Sequence, residues 1–305
     1  MTPLFPAAHE VMAKRSQPTR RPTAQKGMTL VELMVGITIG LLVVAIATTA
    51  LMVSRGVSGT VTDASGIQQQ ASYAIRVIGA QMRQAGSLFL NPNPTGIATP
   101  ATASYLQRVA FETDSRDPTN VGLPFNPALN TINSTSTSIT SGYRRYKDKI
   151  HGSVDEQSLM RNCLGGPIDT STDQIVQSAF TFDALKSELQ CSGNNAPAQP
   201  IIKNVAEFQL RYLVQDNAIK GAPVIRNTTT VPTNWSQVQA VEVCMVLYGS
   251  ERIDMPVGST YIGCSDAAVD MSTLPGDRAR RMHMRFKNVF QMRSQGLVGS
   301  AIPAI

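Results

Sequence analysis

Residues 27–33 read Gly-Met-Thr-Leu-Val-Glu-Leu, and from Leu33 the chain continues to Val53 as LMVGITIGLLVVAIATTALMV. That second stretch is 21 residues without one ionisable side chain. As a helix rising about 1.5 Å per residue it spans roughly 30 Å, the hydrocarbon thickness of a bilayer. Upstream stand Lys14, Arg15, Arg20, Arg21 and Lys26 against the single acid Glu10, and among the twenty residues after Val53 only Arg55 is basic. This bias keeps residues 1–27 in the cytoplasm and sends the bulk of the chain outward. One acid, Glu32, stands at the entrance to the apolar run. A carboxylate at a membrane boundary carries a solvation cost and invites a functional role. Hydropathy alone leaves three readings open: a secretory signal peptide cut near Ala45-Ile46-Ala47, a plain signal anchor, or a segment processed ahead of the apolar core.

The heptapeptide at 27–33 decides among them by resemblance. It resembles the type IV prepilin motif, in which a Gly precedes a hydrophobic residue, Thr, two aliphatics and Glu. The resemblance implies that prepilin peptidase cuts after Gly27 on the cytoplasmic side and that Met28 becomes an N-methylated first residue. Glu32 is then fifth in the processed chain, the position the family keeps acidic, where it pairs with the N-terminal amine of a neighbouring subunit. Met28 departs from the more usual Phe. The leader is long for such a motif, and Met12 offers an alternative start.

Further residues narrow the resemblance to PilW-type minor pilins. Ala74-Ile75-Arg76 with Met82-Arg83-Gln84-Ala85-Gly86 is similar to the end of their first helix. Leu189-Gln190-Cys191-Ser192-Gly193, 204–212, Trp235 with 238–241, Asp277–Arg281 and Phe286–Arg293 are similar to later segments of that family. Across 87–160 the resemblance fades into loop and turn chemistry. What it implies is an α+β, ladle-like pilin fold with a long N-terminal helix packed on an antiparallel sheet. The corresponding divisions are a leader (1–27), a membrane and assembly half of the helix (28–53), an amphipathic half (54–86) and a periplasmic β-rich head (87–305). The implied function is a minor pilin that helps initiate type IV pilus assembly at or near the fibre tip. Its partners would be other minor pilins, the major pilin, prepilin peptidase, the inner membrane and a large tip adhesin, with adhesion, twitching motility or DNA uptake downstream. A pseudopilin of a type II secretion system is the alternative from the same resemblance.

Read from the residues, Ile67, Ala71, Ala74, Ile75, Ile78 and Met82 recur at spacings of three and four, one apolar stripe on a helix that stops near Gly86. The glycines at 36, 40, 56, 59 and 66 weaken the middle of that helix, each by about 1 kcal/mol relative to Ala, and predict a kink or a melted turn around 54–66. In 205–214, Phe208, Leu210, Tyr212 and Val214 alternate with more polar positions, a half-buried strand. Val238–Tyr248 is nearly continuous in apolar residues, as a central strand is. In 281–287, Arg281, His283, Arg285 and Lys287 alternate with Met282, Met284 and Phe286. The cationic row is expected to be the solvated face of a strand, the other readings being a nucleic-acid or pilin contact. Residues 91–140, with their Pro, Asn, Ser and Thr and the run Ser134–Ser138, predict long loops.

Charge and cysteine usage bound the rest. The net charge is +6, but residues 1–27 hold +4 of it, so the basic balance belongs mainly to the leader and direct nucleic-acid binding is not expected. Cys163, Cys191, Cys244 and Cys264 all follow the apolar segment, and none forms a C-x-x-C pair. With only His9, His151 and His283 available, no metal site is expected. An even count beyond an export signal favours two disulfides, and four cysteines allow three connectivities. Pairing neighbours in sequence (Cys163 with Cys191, Cys244 with Cys264) closes two local loops and is the expected one, with buried free thiols the alternative. The sequence carries no Gly-rich phosphate loop, no G-x-S-x-G and no H-E-x-x-H, so neither a catalytic residue nor a cofactor is expected. Asp169–Asp173 reads as an ordinary turn.

Overall fold

The structure is a computed structural model describing residues 27–87, 90–91, 110–111, 124–149, 152, 156–216 and 224–292. The leader to Lys26, most of the 91–123 loop region and Arg293 lie outside those residues. The chain falls into two compact units, Met1–Ser54 and Arg55–Ile305.

Helix α1 spans Leu30–Gln84. It runs unbroken through Gly56, Gly59 and Gly66, so the melted turn expected there does not form. The helical hydrogen-bond ladder continues across the glycines, and their summed propensity penalty is outweighed. The threonines within the helix close their hydroxyls on the preceding turn. Thr38 donates to the Val35 carbonyl at 2.9 Å, Thr49 to Ala45 at 2.8 Å and Thr62 to Ser58 at 2.9 Å. Thr48 and Thr60 do the same. A hydroxyl satisfied inside its own helix loses little in an apolar medium.

The second half of α1 is one-sided. Ile67, Ala71, Ala74, Ile78 and Met82 are all at most 2% exposed, which is the stripe read from the spacing. They share one core with Ile139, Phe180 and Leu189 of a five-stranded sheet and with Leu210, Val243, Met245 and Phe290 of a four-stranded one. At Gly79 the helix lies close against the four-stranded sheet. A Cβ added there would lie 2.7 Å from the Phe290 ring. The helix stops as its glycine predicts: Gly86 has φ +73°, and its N–H reaches the Gly142 carbonyl at 2.7 Å.

The five-stranded sheet is an antiparallel meander of β1 (Ile132–Ser134), β2 (Ser138–Arg144), β3 (Ile175–Asp183), β4 (Glu188–Ser192) and β5 (Gln199–Lys203). Its first hairpin corrects the expectation of loops up to residue 140. The Ser134–Ser138 run makes the tight turn, with the Thr135 N–H donating to the Ser138 carbonyl at 2.8 Å. Ile132, Ile139 and Tyr143 are buried on either side of it. The four-stranded sheet adds β6 (Val205–Asp216), β7 (Val224–Thr228), β8 (Val238–Arg252) and β11 (Arg281–Gln291), in the order β7-β6-β8-β11 and all antiparallel. β8 is central, as its apolar run predicts. On β6 the buried face is Phe208, Leu210 and Tyr212, but a register shift between Leu213 and Val214 turns the strand over. Beyond that shift Gln215 is buried and Val214 is half-buried, against the simple alternation.

Between β8 and β11 the chain makes an excursion over residues 253–280 that carries the hairpin β9 (Thr260–Ile262) and β10 (Ala268–Asp270). This excursion covers the outer face of the four-stranded sheet, where Ala206, Cys244, Val246 and Tyr248 form a second small core with Tyr261 and Cys264. In the cationic row of β11, Arg285 and Lys287 are exposed as expected of a solvated face, but they also meet an acid of the excursion. Asp266 takes Arg285 at 2.6 Å, Lys287 at 2.8 Å and Arg211 at 3.0 Å. Those three hydrogen-bonding cations, Lys287 foremost, hold the Asp266 carboxyl well below the usual carboxylate range. His283 is buried. Arg285 and Lys287 thus help fasten the excursion through Asp266.

Polar side chains fix how α1 lies on the sheets. Two extra residues in β8 relative to β11, between Tyr248 and Arg252, form a bulge that frees backbone donors. The Asp63 carboxylate takes them: Ser250 N–H at 3.2 Å, Ser250 hydroxyl at 2.8 Å and Glu251 N–H at 2.8 Å. Gly249 is required beside it, since a Cβ there would collide with that carboxylate. Further up, Gln70 accepts from the Lys203 N–H at 3.2 Å. Gln81 donates to the Arg161 carbonyl at 3.1 Å and accepts from Ser178 at 3.0 Å.

Two substitutions test this docking. Gly79→Leu should destabilise the head by about 1–3 kcal/mol, the usual cost of overpacking, and the measurement is urea unfolding of the full chain in detergent micelles. An unchanged midpoint would mean the Phe290 contact yields freely. Asp63→Ala leaves two backbone donors at the bulge without their acceptor and should cost about 1–3 kcal/mol. Hydrogen exchange at Ser250 and Glu251 should accelerate in that variant, and unaltered exchange there would remove the clasp from the account.

Candidate functional site: an apolar helix with one carboxylate

From Gly27 to Ser58 every residue is exposed in this chain, including Leu, Ile, Val and Met side chains at every turn of the helix. Met28 is 69% exposed and Leu30 74%. Among the described residues, α1 is the one helix long and apolar enough to cross a membrane. A helix apolar on all sides belongs in a bilayer or among other apolar helices, because no side of it suits water. The next ionisable groups after Glu32 are Arg55 and Asp63.

The N-terminus of α1 is closed by a reciprocal pair. The Thr29 hydroxyl accepts from the Glu32 N–H at 3.3 Å, and Glu32 Oε2 accepts from the Thr29 N–H at 3.3 Å and its hydroxyl at 3.4 Å. This is a capping box, in which two of the free N–H groups at the helix start are satisfied at once. The carboxylate also lies at the N-terminal end of the helix, where acidic side chains are well placed against the helix dipole. Glu32 thus has a local role that the heptapeptide reading did not include, although the Thr-x-x-Glu spacing is the signal for it. The cap occupies one carboxylate oxygen, and Met28, immediately before Thr29, is open to solvent.

The four cysteines lie in the head, far along the chain from this segment. Cys163 is joined to Cys191, with Cα atoms 6.4 Å apart, and Cys244 to Cys264, with Cα atoms 5.7 Å apart. The first ties the 158–167 loop to β4, and the second ties the excursion to β8. No group of three or more His, Cys, Asp or Glu side chains suited to a metal occurs among the described residues. The 168–173 segment is more than a plain turn. Its carbonyls at Ile168, Ser171 and Asp173 converge on the buried Arg145 guanidinium at 2.8, 2.9 and 3.1 Å, and Asp169 pairs with Arg161 at 2.9 Å. The arrangement holds a loop in place and carries no catalytic grouping.

Sequence reasoning missed Asp63 and Gly79. Asp63 had a usable signal, being the only acid between Glu32 and Glu112. Gly79 had none beyond being a glycine within the apolar stripe.

Comparison with known proteins bears on both ends of the chain. Residues 22–48 match the prokaryotic N-terminal methylation motif. Residues 168–294, which run from the start of the 168–173 segment through β11, match the Type IV Pilus-assembly protein W family. No curated protein matches the chain. Among solved structures, a type IV-like pilin from Thermus thermophilus aligns at 10% identity and a TM-score of 0.37, over 75% of this chain and 96% of that one. With the methylation motif on its apolar N-terminus and the W-family match over residues 168–294, the chain is similar to PilW-type type IV minor pilins at both ends.

Proposed function

We propose that this protein helps initiate type IV pilus assembly and sits at or near the fibre tip. The observation that carries the reading is the segment from Met28 to Ser58, exposed along its whole length and holding a single carboxylate, Glu32, near its start. Before assembly that segment spans the inner membrane once, with the head in the periplasm. Prepilin peptidase cuts after Gly27, and the freed amine of Met28 is methylated. The chain then leaves the bilayer by exchanging lipid for the apolar helices of other minor pilins and the major pilin. In that medium a charge is costly unless it meets its opposite. The Met28 amine of one subunit and the Glu32 carboxylate of the next supply that pair. The capping box holds the carboxylate by Oε2 alone, which leaves the group able to take a second, cationic partner. A tip position suits a head with its own disulfides and loops, and contact with a large adhesin would use those loops. The role is structural, with Glu32 acting by charge and not by catalysis.

Two experiments test this. Mass spectrometry of the protein from cells with and without prepilin peptidase should give Met28 as a methylated N-terminus only in the former. A first residue at Thr48, or an uncleaved chain in both, would defeat the reading. The second separates the cap from the charge. Glu32→Gln keeps an oxygen for the Thr29 N–H but deletes the charge, whereas Glu32→Ala deletes both. Both variants should insert in the membrane normally. Both should lower the ratio of this protein in sheared pili to that in membranes by at least about tenfold, the equivalent of about 1.4 kcal/mol. A Gln variant that assembles like wild type would leave Glu32 with only its capping role.

A further inference from the structure

One histidine lies against the tyrosines of the small outer core beneath the 253–280 excursion. His283 of β11 is 7% exposed. Its ring is stacked on Tyr261 of β9, with centroids 4.6 Å apart and planes 10° apart, and lies 5.8 Å from the Tyr248 ring of β8. Nδ1 is 2.8 Å from the Arg281 carbonyl, which can only accept, so the neutral ring carries its proton there. Nε2 is buried without a hydrogen-bond partner among the described residues. A second proton would have to sit on that nitrogen.

The charged and titratable groups around the ring give such a proton little help. On its own strand are Arg281, which donates to the Gly249 carbonyl and lies over Tyr248, and Arg285, which donates to the Gly263 carbonyl and to Asp266. The excursion contributes Arg278, whose charge opposes protonation, together with Tyr261 and Asp266. β8 contributes Tyr248. β6 contributes Glu207, the one acid whose charge favours protonation, and its two oxygens are already taken by the Tyr261 hydroxyl and the Cys264 N–H, both at 2.8 Å. The Tyr261 hydroxyl itself titrates far above neutrality, chiefly through burial.

We propose that His283 is an acid-operated latch: its protonation places an uncompensated charge between Tyr261 and Tyr248 and opens the base of the excursion. The tip of the β9–β10 hairpin stays pinned, because Cys264 is bonded to Cys244 and Asp266 remains ionised among Lys287, Arg211 and Arg285. What parts from the sheet is the Tyr261 side, and this uncovers Ala206, Val246 and Tyr248. The sign follows from burial, which pushes the His283 pKa below the ordinary histidine value. The open form then binds the extra proton, so the closed form is fully favoured above about pH 6.5 and weakens as pH falls below it.

Hydrogen exchange of the full chain in lipid nanodiscs, corrected for intrinsic rates, tests the latch. Between pH 7.5 and 5.5, protection of peptides covering 253–262 and 268–280 should fall about tenfold, the ratio for one histidine titrating at about 6.5 in the open form only. Peptides from 64–82 of α1 should hold their protection. In His283→Phe, which keeps a stacking ring and cannot be protonated, the fall should vanish. An equal fall in that variant, or none in wild type, would overturn the proposal. Should that variant not fold, ring-labelled histidine NMR of the wild type decides: His283 titrating below 6.5 supports the latch, and titration at or above 6.5 with the excursion still protected overturns it.

Discussion

Both sheets of the head are assembled over the Ile67–Met82 stripe of α1. That stripe is almost completely buried, and residues from the five-stranded meander and the four-stranded sheet meet on it. Fully burying a side chain such as Ile67, Ile78 or Met82 contributes about 1.5–3 kcal/mol each, so the stripe is a large share of what holds two separately formed sheets together. The same helix presents the opposite situation in residues 28–58, where comparable side chains are exposed and none of the described residues covers them. Water is the wrong solvent for that half. One helix therefore carries two kinds of apolar surface, one satisfied within the chain and one that requires lipid or other helices.

Apolar burial is non-directional, and a stripe of Ile, Ala and Met is nearly self-similar when shifted by one turn. Its position on the sheets needs something less forgiving. Asp63 in the Gly249–Glu251 bulge, Gln81 between Arg161 and Ser178, and Gly79 beneath Phe290 each fit at one setting only. A shift of one turn would withdraw the Asp63 carboxylate from three donors and drive a side chain into Phe290. These contacts add modest stability, but they select a single register. The capping box at Thr29 and Glu32 performs a similar service at the other end, fixing where the helix begins.

What could be read from the sequence followed from periodicity. The α1 stripe, the buried face of β6 as far as Tyr212 and the central place of β8 all rest on spacings of three to four or of two. The reading failed where polar composition masked a strand, as at Ser134–Ser138, and where a bulge residue on β8 opposite Leu213 and Val214 upset the alternation on β6. It failed also where the partner lay far away in sequence. Asp63 and its bulge are nearly two hundred residues apart, and no local pattern joins them. The cationic row of β11 was legible as a row, yet its role depends on Asp266 in a separate excursion. Glu32 and the 27–33 heptapeptide were legible, but resemblance, not periodicity, suggested their use in assembly.

Strand β8 accounts for the remaining architecture. From Val243 to Gly249 every residue is buried, on both faces, which a two-layer packing of helix on sheet cannot achieve. The inner face is covered by α1 and the outer face by the excursion over 253–280. That outer cover is short and holds few large apolar side chains, so apolar area alone would fasten it weakly. It relies instead on the Cys244–Cys264 bond, on three cations gathered by Asp266 and on Glu207 holding Tyr261 and Cys264. A cover held mainly by such contacts responds to charge more readily than one held by a broad apolar face. His283 of β11 faces that cover, buried and stacked on its Tyr261.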